Sequence, residues 1–530
     1  MARIQQLGVV IAILFAAALS SAAADERYRD ATPVITQYFD LISSGNFEIA
    51  GDMWTPEAIE RSSRFGITYT GIPIKADCNS PIIRMPDQAK ANLTTSIRKY
   101  EELDSTTWYR LEYADVYGST LMKHNYYLQR RGDWLWLGFA QDFYAASWPI
   151  VESRYLRVRM HQDARKYVNP AALAEADRFV EQASKRLGIS NSTIQKIAQS
   201  KIEYFLCPSD SVVEQLTGFR VVGTLDLASN DVISADFPHF HELTHLLVNI
   251  RLGELPLYTL PVMREGLATA LAGRWGKGAA PLMDLAVFLY QDSLIVMDSI
   301  FTMRGFDSES GADMVYPVAG MFSAFLEEKI GMVGLLDLYL GLSGPFDEVN
   351  GLAATAVHDK IVAAAKFADW SALKAEFEAY VTRHRNDREM TMAGASGHQK
   401  KITSDGRAEV YDDGEWLAFE FSMAPGDSLC QGNLVFGPDK SLEGQVSLLF
   451  ENQYGDDRKF DGYRFGVRFD QNEAGLYDYA SNLLLAKYIS GISPSEGYFD
   501  AEQKKVAVRF RKDALNGILP EKGRLQLLPM

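Results

Sequence analysis

The run His241-Glu242-Leu243-Thr244-His245 places two imidazoles four residues apart with a carboxylate between them. On a helix that spacing stacks His241 and His245 on one face, where their ring nitrogens converge on a single ion. Glu242 stands about 100° further round, poorly placed as a third ligand and well placed to hold water beside that ion. Glu265, twenty positions after His245 within Arg264-Glu265-Gly266-Leu267-Ala268, supplies a third donor. Two histidines and a glutamate with a fourth position open make the ligand set of a catalytic zinc ion. The expected chemistry is hydrolysis: zinc lowers the pKa of its water to about 7, and Glu242, the general base, takes the proton as that water attacks a carbonyl.

Helices must position these groups. Val232 to Phe237 leads into Pro238, which a first helical turn tolerates, and Phe240, Leu243, Leu246 and Leu247 give the histidine stretch an apolar face. A second helix is predicted after Pro261, with Val262, Leu267, Ala268, Ala270 and Leu271 apolar and Glu265 in an early turn. A carboxylate in so apolar a helix is costly unless a cation meets it. Packed core histidines with a surface glutamate are the competing reading. Ahead of the histidines, Gly218 to Ala235 alternates enough to include a strand, with Leu225 to Ser229 as its candidate sheet edge.

On these residues the chain resembles the gluzincin zinc metallopeptidases of the peptidase MA-like group. His241-Glu242-Leu243-Thr244-His245 has the thermolysin-like form, and nineteen residues separate His245 from Glu265 with thermolysin-like spacing. Pro261 to Ala268 is similar to the Glu-Gly-x-Ala signature of the broader group. The resemblance implies one zinc ion on His241, His245 and Glu265, and a peptide or protein substrate laid along the edge strand. It also implies a downstream tyrosine that stabilises the oxyanion. Tyr316, opening the run Tyr316 to Phe322 ahead of Pro317, is the matching residue, with a structural role as the alternative and His358 as a second candidate. Thermolysin-like enzymes carry an orienting Asp four residues after the ligand glutamate; Thr269 stands there instead, which leaves the partner of the zinc histidines open. The Gly-x-Met-x-Asn exopeptidase motif is missing, so endopeptidase and exopeptidase readings both stand. A zinc hydrolase of a non-peptide amide or ester, and a non-catalytic zinc-containing surface binding protein, are the alternatives.

Arg3, the apolar run Leu7 to Leu19 and Ala22-Ala23-Ala24 read as a signal peptide over 1–24, so the mature chain is expected to be secreted or periplasmic. Losing Arg3, the one charge in that segment, moves the formal net charge from −16 to −17. Such acidity disfavours nucleic acid and anionic membrane surfaces. The most apolar later stretch, Leu282 to Phe301, is broken by Asp284, Asp292 and Asp298, which argues for buried helix and against a membrane span. Cys78, Cys207 and Cys430 are too few and too dispersed for a disulfide framework; structural thiols are expected, with one disulfide left open.

A chain of 530 residues fits about three domains. Residues 25–148 read as α+β: a helical opening with Ile35, Phe39, Leu41 and Ile42, then strands around Trp108 to Asp115, Ser119 to Gln129 and Trp134 to Ala140. A hairpin turn is expected at Arg131-Gly132-Asp133. This region resembles the small nuclear-transport-factor-like domains, with a spacer or binding role. Residues 151–384 form the expected helix-rich peptidase core, with helices at Pro170 to Leu187, Ala353 to Phe367 and Ala372 to Arg383. Arg385 to Lys401 reads as a linker. In 402–530, Trp416 to Ser422, Gln445 to Glu451, Tyr463 to Phe469 and Lys505 to Arg511 alternate at period two, as in an antiparallel β-sandwich. A glycan or protein is the candidate ligand of exposed aromatics there, burial in the sandwich being the competing fate.

Overall fold

The computed structural model describes residues 31–396, apart from 32, 85–96, 104–107, 118–119, 169, 275–278, 292–294 and 310–314; beyond 399 it describes strands alone. The expected signal peptide and Cys430 lie outside the described residues. Helices and sheets alternate in several layers. The first sheet is an antiparallel meander of Ile97–Glu102, Trp108–Tyr117, Thr120–Arg131 and Trp134–Gly138 in chain order. Its last hairpin pairs Arg131 with Trp134 and turns at Gly132, whose φ of 61° is what a two-residue hairpin turn demands. Ile97–Glu102 is additional to the three expected strands. A helix over residues 33–43 packs on this sheet, burying Tyr38, Phe39 and Ile42 against Leu111, Tyr126 and Leu128.

The second sheet has five strands in the order Ile150–Glu152, Leu156–Met160, Ile202–Leu206, Asp231–Ser234 and Gly223–Asp226. The middle three run parallel and the outer pairs antiparallel, and both faces of Ile202–Leu206 and Asp231–Ser234 are buried, as parallel strands require. Gly223–Asp226 is a sheet edge. The edge expected at Leu225 to Ser229 is therefore displaced. The Asp226 carboxylate accepts from the Ala228 N–H at 3.2 Å and the Ser229 hydroxyl at 2.6 Å, which turns the chain back before the strand can continue.

Three helices carry the chemistry-bearing residues: the histidine helix Phe240–Leu252, the glutamate helix Pro261–Ala272 and the long helix Val315–Gly341. Pro261 opens the glutamate helix as expected. Pro238, however, precedes the cap of the histidine helix, because His239 occupies that cap and gives its backbone N–H to the Tyr204 hydroxyl at 3.2 Å. The glutamate and long helices press together where side chains are missing. A Cβ at Gly266 would lie 2.6 Å from the Ala319 carbonyl oxygen, and one at Gly320 would lie 2.7 Å from Thr269 Cγ2.

Leu282 to Phe301 resolves into the helix Ala279–Gln291 and a 3₁₀ turn Met297–Phe301, and no described helix is long and apolar enough to cross a membrane. Cys78 and Cys207 are buried free thiols. The run read as a linker, Arg385 to Lys401, is instead helix as far as Ser396, the end of Trp370–Ser396, and strand again from Lys400. Up to Ser396 its arginines, glutamate, methionines and alanines favour helix more than Gly394 opposes it. Beyond it lie antiparallel strands, among them Trp416–Ser422, Leu442–Asn452, Gly462–Phe469 and Lys505–Arg511, covering all four expected there.

The boundary near 148–151 separates two sheets but not two interiors. One apolar core runs from Ile35 and Tyr126 through Leu206 and Leu243 to Phe322 and Phe377. Polar clamps reinforce it. Asp231, fully buried, meets Arg61 Nε at 3.1 Å and Arg64 Nη2 at 3.2 Å. Lys75 donates to Asn230 at 2.7 Å, while Asn79 and Gln141 donate to Asp226 at 2.6 and 3.0 Å. Helices and a loop flanking the first sheet thereby fix the edge strand of the second. Burial raises the Asp231 carboxyl and the two guanidiniums oppose it, leaving it pushed up to about 6, so it is charged at pH 7.5. Asp231→Ala leaves two buried guanidiniums short of a counter-charge and is expected to lower unfolding stability by about 3 kcal/mol at that pH. Urea denaturation measures this, and an unmoved midpoint would exclude the ion cluster as the clamp between the sheets.

Candidate metal centre

His241 and His245 stand one turn apart on the histidine helix, and the glutamate helix brings Glu265 against both. Glu265 Oε2 lies 2.9 Å from His241 Nε2 and 3.4 Å from His245 Nε2, and the three donor atoms all fall within 4.8 Å of one another. Ligands of a tetrahedral zinc at about 2.0–2.1 Å stand about 3.3 Å apart, a spacing that the two Glu265 contacts match, while the cluster as a whole spans up to 4.8 Å. The three residues singled out from sequence are thus brought together.

His241 tests whether a cation fits. It is 2% exposed and faces two acceptors, with Nδ1 3.0 Å from the Gly273 carbonyl oxygen and Nε2 2.9 Å from Glu265 Oε2. A neutral imidazole has one N–H and satisfies only one of them. Burial lowers the pKa of His241, and His245 and Arg274 add to that effect against the pull of Glu265. Burial alone would raise the Glu265 carboxyl, but Arg264, His245 and the contact with His241 hold it well below the usual carboxylate range. A neutral ring donating to Gly273 therefore aims a lone pair at an ionised carboxylate, an arrangement that a shared cation resolves. Two imidazole nitrogens and a carboxylate oxygen are donors that zinc accepts.

The orienting partner left open by Thr269 is the Gly273 carbonyl, at the C-cap of the glutamate helix. Thr269 is buried against Gly320 and hydrogen-bonds to neither histidine. A carbonyl on the second ring nitrogen fixes tautomer and ring orientation as well as a carboxylate would. Arg264 Nε meets Glu265 Oε1 at 2.7 Å, which engages one carboxylate oxygen and leaves Oε2 for the histidine side.

Glu242 stays outside the donor cluster. Its Oε2 accepts from the Leu225 N–H at 2.9 Å, so the edge strand itself holds the carboxylate. Burial alone would raise its pKa, but the fields of His245, His239 and His241 prevail and lower it, leaving a base ready to accept a proton. Glu242, His245 and Glu265 line a cavity of about 1450 Å³ that His124, Tyr127 and Gln141 of the first sheet region also line. Tyr316 lines it too, its ring 6.2 Å from that of His241. His358, the second candidate for oxyanion donor, is instead stacked on Trp370 at 3.8 Å and is not part of the cavity wall.

Three residues of the centre escaped sequence reasoning. His239 caps the histidine helix, contacts the Ser234 hydroxyl at 3.0 Å and lines the cavity; burial takes its pKa down to about 4. Its ring lies so close to the edge strand that a Cβ at Gly223 would come within 2.2 Å of Nδ1. A third histidine two positions ahead of the motif was the available signal. Arg264 adjoins Glu265 and was visible only as a motif neighbour. Arg274 has its Nη1 3.5 Å from His241 Nε2, with no pattern in the sequence to mark it. No family model, curated protein or solved structure matches this chain.

Single substitutions His241→Ala, His245→Ala and Glu265→Ala are each expected to abolish stoichiometric zinc in the dialysed protein, read by elemental mass spectrometry. Zinc retained at wild-type level in Glu265→Ala would remove Glu265 from the ligand set.

Proposed function

We propose that this chain is a gluzincin-type zinc metallopeptidase, exported to a secreted or periplasmic location and acting on peptide or protein substrates. The observation that carries the reading is Glu242. It is an ionised carboxylate outside the three-donor cluster, tied at 2.9 Å to the backbone of a sheet edge in the same cavity. Bound on His241, His245 and Glu265, zinc supplies Lewis acidity toward a carbonyl oxygen and acidifies water.

The chain's own residues account for the rest. Glu242 accepts the proton of the attacking water and passes it to the leaving amine. The edge Gly223–Asp226, apart from the Leu225 N–H held by Glu242, offers backbone groups to an extended substrate, an arrangement that favours a peptide over a small ester. His241 stays oriented through the Gly273 carbonyl. An oxyanion needs a donor as well, and the cavity wall around Tyr316 is the side from which it would come.

The flanking regions fit accessory roles. The meander with its packed helix supports a nuclear-transport-factor-like reading of 25–148, and its share of the cavity lining supports a part in substrate binding. The antiparallel C-terminal strands support a β-sandwich over 402–530 that binds glycan or protein. The apolar run ending in Ala22-Ala23-Ala24 supports export.

Glu242→Gln is expected to keep zinc and melting temperature while kcat/KM on peptides falls by about 10²–10⁴. Mass spectrometry of a proteome-derived peptide mixture, incubated with wild type or variant, reads the cleavage. Should the zinc-loaded wild type spare every peptide yet hydrolyse small amides or esters, the non-peptide reading replaces this one.

A further inference from the structure

Arg274 directly follows Gly273, whose carbonyl orients His241. Its Nη1 lies 3.5 Å from His241 Nε2, the atom that faces the ion, and its guanidinium carbon lies 3.5 Å from the centroid of the Tyr316 ring. Both side chains line the cavity with Glu242, His245 and Glu265. An aromatic face attracts a guanidinium and holds its plane, so Tyr316 acts as a platform that aims the N–H edge of Arg274 at the centre. Glu265 is meanwhile matched by Arg264 at 2.7 Å on the other oxygen. A carbonyl reached by water held at Glu242 must sit beside these donor atoms, within reach of the same guanidinium.

We infer that Arg274 is the oxyanion-stabilising residue of this centre and that Tyr316 positions it through its ring, an inference that rests on the peptidase reading above. As the water oxygen bonds to the carbonyl carbon, the carbonyl π pair moves onto oxygen and the water proton passes to Glu242. The negative charge that develops meets N–H groups already oriented, and a donor of this kind is worth roughly a hundred- to a thousandfold in kcat. The role of Tyr316 thereby shifts from its hydroxyl to its aromatic face. That shift separates two substitutions: Tyr316→Phe keeps the platform, and Tyr316→Leu removes it.

The test uses the full zinc-loaded chain, the peptide that wild type cleaves best from a proteome-derived mixture, and a phosphinic analogue of that peptide as a tetrahedral mimic. Arg274→Gln is expected to retain zinc and KM, lower kcat by about 10²–10³ and weaken the analogue by a similar factor. Tyr316→Leu is expected to approach Arg274→Gln in both measurements, and the conservative Tyr316→Phe to recover most of the loss. Normal kcat with normal analogue affinity in Arg274→Gln overturns the inference, as does a full loss produced by Tyr316→Phe. Zinc lost from Arg274→Gln also overturns it, by assigning Arg274 to building the metal site. A zinc-loaded wild type that cleaves no peptide sinks the peptidase reading and this inference with it; cleavage by wild type with Arg274→Gln unimpaired sinks the inference alone.

Discussion

A buried, ionised carboxylate dictates the arrangement around Glu265. At 7% exposure its charge would cost several kcal/mol without compensation, so cationic and polar groups must reach it from more than one side. Arg264 meets one oxygen and two imidazoles meet the other. That convergence requires the glutamate helix to lie close to its neighbours, which Gly266 and Gly320 permit toward the long helix. The same packing brings Tyr316 to the cavity and lets the helix end at Gly273, where the chain closes over His241. Ligand spacing, ring orientation and the place of Arg274 all follow from one burial problem and its solution.

The region ahead of the mixed sheet belongs to the centre's architecture through the edge strand. Asp226 and Asn230 bound that strand's turn, and both are held by side chains from the first sheet region. Leu225, between Asp226 and the glycine under His239, gives its N–H to Glu242. Displacement of the turn would therefore move the carboxylate proposed as the base. Under the peptidase reading, recognition and chemistry meet in a run of four residues, Gly223–Asp226.

The sequence made legible what depends on local periodicity and residue chemistry. His241, Glu242, His245 and Glu265 fall on helices with the expected faces, Pro261 opens its helix, and the period-two runs are strands. Where side chains compete with backbone, the reading slipped: Asp226 caps a turn and shortens the edge to end before Leu227. Ile97–Glu102 hides behind four charges in six residues. The supposed linker carries helix-forming residues whose propensity outweighs its glycine. Gly273 was invisible for a different reason, because the group that orients His241 is a backbone carbonyl and every residue has one. Arg274 and His239 acquire their roles only through tertiary contact with the edge strand or with Tyr316.

The continuous apolar interior beneath the two sheets has a consequence for what can enter the cavity. Swinging one wall away from the other would expose shared core, and a few hundred Å² of such surface costs on the order of 10 kcal/mol at about 25 cal/mol per Å². Among the described residues, that shared core opposes a wide opening of the gap. Under the peptidase reading, the discriminating variable then lies in the substrate: a segment reaches the edge strand only if it is already loose enough to extend. Native proteins in the same compartment would be spared by their own rigidity, while frayed or misfolded ones would not.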